Sequence, residues 1–217
     1  HAGSPYAFQT VGSTIAVTPK AYAQVRGFPR KKAAEDFYLL NKLAKVGRIY
    51  ERTGDAIHLQ GRPSDRVPFG TGAGVSKITL AARAGQGFTL YDPQSFELLR
   101  QWLQAMEGFA EHAQLDRVTY QLNALGWTED NVSMLQQIGA MKMLEESARN
   151  TTSSAACLRR LHTAFDAFRT LKFMHAVRDQ CCPLLPWREA LAAAPFLSLE
   201  EREVVSAAQA AKALIAY

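Results

Sequence analysis

Val11-Gly12-Ser13-Thr14-Ile15-Ala16-Val17-Thr18-Pro19 decides how the first part of this chain is read. Val11 to Val17 has the short, β-branched, partly alternating character of a strand. Thr18 can then cap a helix, and Pro19 suits its first turn, where a missing N–H costs nothing. That helix runs through Ala21, Tyr22 and Val25 and stops near Gly27. A strand followed directly by a capped helix predicts an α/β to α+β class for this segment.

The pattern continues outward. After the basic loop Arg30-Lys31-Lys32, a second helix is expected from about Ala34 to Val46. Phe37, Leu40, Leu43 and Ala44 recur at helical spacing, with Leu39 and Val46 widening the stripe. Gly47 stands where a left-handed C-terminal cap is expected. Ile49-Tyr50 and Ala56-Ile57-His58-Leu59 read as short strands around a turn at Thr53-Gly54-Asp55. Residues 60–76, rich in Gly and Pro, read as a loop.

From Asp92 the reading changes to helices alone. Asp92-Pro93 is a cap followed by Pro, and Phe96, Leu99, Leu103 and Met106 form one stripe. Thr128 caps a helix through Val132, Leu135, Ile138 and Met141 that ends near Ser147. Ser153 or Ser154 precedes another through Leu158, Leu161, Phe165, Phe168 and Leu171. Ser198-Leu199-Glu200-Glu201 is a capping box opening a last, Ala- and Val-rich helix. Two units follow, 1–90 and 91–217, the second an irregular all-α helical region.

Charge divides the chain at the same place. Residues 1–90 carry 13 Lys and Arg against 5 Asp and Glu, whereas 91–217 carry 12 against 15. A basic first unit attracts phosphate, nucleic acid or an anionic membrane surface, or simply solvates itself. The 217 residues are 47% hydrophobic and 21% charged, which excludes a disordered or collagen-like chain. No apolar run approaches the roughly 20 residues of a membrane span. The start, His1-Ala2-Gly3-Ser4-Pro5, has neither the basic nor the apolar part of a signal peptide. Cys157, Cys181 and Cys182 form no CxxC pair. An odd count with two adjacent members points to reduced thiols and a cytoplasmic location.

Three features can carry chemistry. Glu35 and Asp36 open a helix beside three cations, where the positive helix end attracts negative charge. A carboxylate aimed into a cleft there can take a proton from an attacking hydroxyl, although acids also occupy first turns for the dipole alone. Arg62 and Arg66 flank a loop ending Phe69-Gly70-Thr71-Gly72, a pairing of guanidinium donors and glycine backbone that suits phosphate oxygens or an ordinary surface loop. His58 is a candidate metal or phosphate contact, or a hydrogen-bonded structural residue. The glycines match neither a Walker loop nor a dinucleotide fingerprint. There is no GxSxG for a serine hydrolase. Aromatic and basic residues are not interleaved, so nucleic acid is not an expected partner.

Taken in order, the Gly12-Ser13 segment, the Gly27-Phe28 turn and the Glu35-Asp36 pair opening a helix make residues 11–72 resemble the acceptor-side, C-terminal half of a bacterial family-2 glycosyltransferase of the GT-A fold. The resemblance implies an inverting transfer from a nucleotide-sugar donor to an acceptor hydroxyl. It implies Asp36 as general base and Glu35 as its neighbour orienting acceptor or helix. It places Gly12, Ser13 and Thr14 at the acceptor–donor junction, and Arg62 and Arg66 in a loop closing over the diphosphate. A divalent metal, Mg or Mn, is implied for the intact enzyme, with His58 near a position where some members supply a ligand. The nucleotide-binding half and its Asp-x-Asp should precede residue 11, yet no Asp-x-Asp occurs in the chain. The expectation is therefore a fragment inactive alone, partnered by the missing half, with peripheral association at the inner face of a membrane compatible with its charge. Two other readings stand beside it: a non-catalytic helical interaction module, and a basic domain binding anions or membrane surfaces.

Overall fold

A computed structural model describes residues 1–10, 14–31, 33–51, 70–85 and 87–197. The chain divides into two compact units, one of Pro5–Phe88 and one of His1–Ser4 together with the residues from Thr89 onward. Helix makes up 63% of the described residues, with two short strands, which fits a mixed or all-α class. Among the described residues no helix is long and apolar enough to cross a membrane.

In the Pro5–Phe88 unit, α1 (Pro19–Gln24) starts as its sequence requires, the Thr18 Oγ1 accepting from the Ala21 N–H at 3.3 Å with Pro19 in the first turn. It ends on Arg26 and Gly27, both left-handed. Helix α2 (Glu35–Leu43) is shorter than its apolar stripe suggests. Its chain tightens at the end: Lys45 and Val46 donate to the carbonyls three residues back, Lys42 and Leu43. That turn serves the last carbonyls without a left-handed residue. Gly47 accordingly does not take positive φ, a correction to the expected cap.

The expected strands are also corrected where residues are described. Thr14 has 3₁₀ conformation, and 15–17 and 49–50 pair with nothing as strands. Ile15 and Val17 nevertheless pack, with Phe8, Ala21 and Ile49, on a small core of Val25, Leu39, Leu40 and Leu43. Alternation reports which side of the chain is buried, not whether a neighbouring strand exists. Residues 11–13 and 52–69 lie outside the described residues, and with them the strand expected at 56–59.

Thr71–Arg83 forms α3, where a loop through residue 76 was expected. Each interior Gly costs a helix about 1 kcal/mol, but the Val75–Arg83 stretch is free of Pro and supplies good formers. Gly70 precedes it at φ +89°, and the Ser76 hydroxyl donates to the Gly72 carbonyl at 3.1 Å.

The second unit is built around α4 (Pro93–His112). Asp92 caps it, Oδ1 accepting from the Gln94 N–H at 2.8 Å, with Pro93 next. Leu99, Leu103 and Met106 are buried as the stripe predicts, and Phe96 is half-buried. Leu98, Trp102, Ala105, Phe109 and Ala110 are buried as well, because helices cover α4 on several sides. These are α5 (Leu115–Ala124), α7 (Ala140–Arg149), α8 (Ser154–Ala164) and α9 (Ala167–Gln180), while α6 (Glu129–Gln137) packs on α7 and α9. An aromatic chain runs through the core, Trp102 to Phe165 at 6.0 Å, Phe165 to Phe173 at 6.2 Å and Phe173 to Trp127 at 6.5 Å between ring centroids.

Two expected long helices are broken in two. The one capped by Thr128 stops at Ile138, and Gly139 at φ +73° redirects the chain into α7. The one capped by Ser153 stops at Phe165, and Asp166 starts α9 by accepting from the Phe168 and Arg169 N–H groups. Thr128 itself forms a full capping box with Asn131. Thr89–Leu90, as β1, pairs antiparallel with β2 (Leu185–Pro186), which leads into α10 (Trp187–Ala193). The capping box at Ser198 lies outside the described residues.

Candidate functional site

The Pro5–Phe88 unit places Glu35 and Asp36 in the first turn of α2. Ala34 before them is left-handed at φ +59° and brings no side-chain cap. The open N–H groups of that turn are served in part by Asp36, whose Oδ1 accepts from the Phe37 N–H at 2.7 Å. Asp36 lies one turn before Leu39 and Leu40, on the side of α2 that faces the core. Its side chain is therefore half-buried at the rim of the core, while Glu35 is exposed.

The turn between α1 and α2 is fixed by one ring. Tyr22 lies where a Cβ on Gly27 would go, its ring atoms 2.8–2.9 Å from that position. Gly27 also needs positive φ, so space and backbone both demand glycine. The Phe28 N–H donates to Tyr22 Oη at 3.4 Å, and Lys42 Nζ donates to the Gly27 carbonyl at 3.1 Å, tying α2 to this turn. Lys31 stands 5.3 Å over the Tyr38 ring. The result is a carboxylate pair at a helix start, supported by a locked turn.

Of the other sequence-derived candidates, Thr14 is exposed. Gly12, Ser13, His58, Arg62 and Arg66 lie outside the described residues. Among the described residues no group of three or more His, Cys, Asp or Glu side chains could hold a metal ion. Glu35 and Asp36 alone do not make a site for the divalent metal that the resemblance implies.

The helical unit carries a concavity that sequence reasoning missed. An open groove of about 760 Å³ runs between α4 and α5, with Phe109, Val118 and Leu125 as apolar lining and His112, Asp116 and Arg117 at its polar edge. Tyr120 beside it is 78% exposed. No capped start announces α5, since Gln114 holds the cap position without a side-chain bond. Burial lowers the pKa of His162 in α8, with Glu107 pulling it the other way.

The chain matches no protein-family model, no curated protein and no solved structure.

Proposed function

We propose that residues 11–72 form the acceptor side of an inverting sugar transferase, with Asp36 as the general base. The supporting observation is the Asp36 carboxylate itself, half-buried in the first turn of α2 with Oδ1 held by the Phe37 N–H. A carboxylate anchored by one oxygen at a helix start is pre-positioned rather than free to swing, which is what proton transfer in a transition state requires. The acceptor oxygen forms a bond to the anomeric carbon as that carbon's bond to the nucleoside diphosphate breaks. The hydroxyl proton passes to Asp36. Glu35, exposed beside it, accepts a hydrogen bond from the acceptor in this reading. Arg62 and Arg66 supply positive charge to the departing diphosphate.

The test is nucleoside diphosphate release from a panel of nucleotide sugars by the protein as its gene encodes it, wild type beside Asp36→Asn. Wild-type release is expected, with a loss of about 10²–10⁴ in the variant at unchanged helix content. Release from no nucleotide sugar, or equal release by both proteins, overturns the reading. The 217-residue chain alone has no Asp-x-Asp and is expected to bind nucleotide sugars weakly or not at all. Micromolar binding in calorimetry would contradict that part.

The α4–α5 groove favours a second reading, a helical interaction module. The two are separated by the same assay: an interaction module releases no nucleoside diphosphate.

A further inference from the structure

The C-terminus of α9 brings two thiols together. The N–H groups of Cys181 and Cys182 both return to the Val177 carbonyl, at 3.0 and 2.9 Å. The Cys181 thiol donates to the same carbonyl at 3.4 Å. The Cys182 thiol donates to the Cys181 sulfur at 3.8 Å. Cys181 is exposed and Cys182 belongs to the core of the helical unit. One sulfur is thus open to a reagent in solution and the other waits directly behind it.

We propose that Cys181 and Cys182 form a redox modification site that reacts with small-molecule disulfides of the glutathione type. The Cys181 thiolate attacks one sulfur of the incoming disulfide, breaks its S–S bond and releases one glutathione thiol. Cys182 then gives its proton to solvent, attacks the Cys181 sulfur and releases the second glutathione. The two protein thiols are oxidised to one adjacent-residue disulfide, and the incoming disulfide is reduced to two thiols.

Two physical consequences follow. Consecutive Cα atoms stand about 3.8 Å apart across a trans peptide, shorter than the roughly 4.4–6.8 Å usual for a disulfide. The closed ring is therefore strained and easily reduced, as a reversible site requires. The second step is the slow one. Burial, with Cys181 and Asp92 of the α4 cap adding to it, pushes the Cys182 thiol up to about 12, and the nearby Ser95 hydroxyl only partly offsets this. Ring closure should therefore quicken about tenfold per pH unit through the neutral and mildly alkaline range.

The experiment incubates the 217-residue chain with oxidised glutathione at mildly alkaline pH, blocks residual thiols and digests with trypsin. Cleavage after Arg178 and Arg188 leaves both cysteines in one peptide, Asp179–Arg188. That peptide is expected to lose the mass of two hydrogens, while buried Cys157 is recovered as a free thiol. Cys182→Ser is expected to stop at a glutathionyl adduct on Cys181. A wild-type adduct that persists at Cys181 without ring closure overturns the proposal. So does recovery of both cysteines as free thiols, or a disulfide involving Cys157.

Discussion

The core of the helical unit draws on α4 to α9 and buries Trp102, Phe165 and Phe173 together, whereas the core of the Pro5–Phe88 unit rests on Val25, Leu39, Leu40 and Leu43. Charge is handled just as differently. In the helical unit acids and bases answer one another locally, as in Glu97 with Arg100 and Arg178 with Asp179. In the smaller unit Lys42 is spent on a carbonyl and Lys31 on an aromatic face, and the first turn of α2 holds two acids. The contrast separates two tasks. One unit draws its order from apolar area, and the other holds a charged helix start in place with a few specific contacts. If so, a cavity should hurt the first most and a backbone clash should hurt the second most.

The largest effect is expected from Phe173→Ala. Phe173 is fully buried and touches both Phe165 and Trp127 in the aromatic chain. Removing a buried aromatic ring costs about 3–5 kcal/mol through lost transfer energy and the cavity left behind. Chemical denaturation should show that loss. A value under about 1 kcal/mol would mean that the core repacks around the gap and the contrast between the units is false.

Gly27→Ala comes next and probes the smaller unit. A non-glycine residue in the left-handed region costs roughly 1–2 kcal/mol, and here the new methyl also meets the Tyr22 ring. Hydrogen exchange should quicken at α2 amides and stay unchanged at α4 amides. Adding Tyr22→Ala sharpens the comparison, since it removes the clash and leaves the backbone cost. Recovery in the double variant assigns the damage to the ring; no recovery assigns it to φ. Unchanged exchange at α2 in the single variant would show that this turn does not hold Asp36 in place.

How far these features could be read in advance follows from the kind of signal each leaves. Capped starts were legible: Thr18-Pro19, Asp92-Pro93, Thr128 and Ser153 each begin a helix where their side chains accept a first-turn N–H. Breaks were not, because apolar periodicity runs on through Gly139 and Asp166 while the backbone turns there to let helices fold back on α4. Helix α3 was hidden by its own glycines, and α5 by the lack of a cap. The burial alternation at Ile15 and Val17 was real but belonged to a chain segment lying on α2, not to a sheet. At the candidate site, the position of Asp36 in a first turn was legible, because acids ahead of an apolar stripe favour the positive helix end. That Gly27 is held by Tyr22, five residues earlier, was not, since nothing in local spacing shows a ring folding back over a turn. The adjacent cysteines were visible, but their sulfur contact and unequal exposure are properties of the folded α9 terminus.

The smallest effect is a pH dependence that should belong to the helical unit alone. His162 in α8 has its pKa lowered by burial, so the folded state binds its proton less readily than the unfolded chain does. Stability then rises with pH wherever the unfolded state holds more protons. The His162 contribution is complete above the ordinary histidine value of about 6.5 and declines as pH falls through that value toward the lower folded one. Thermal denaturation between about pH 7 and pH 5 should show Tm falling on the acid side. His162→Gln should flatten that decline, because it removes the titrating group and keeps a polar side chain at the half-buried position. Exchange at α2 should not follow the same curve. An identical acid decline in the variant would remove His162 as its source.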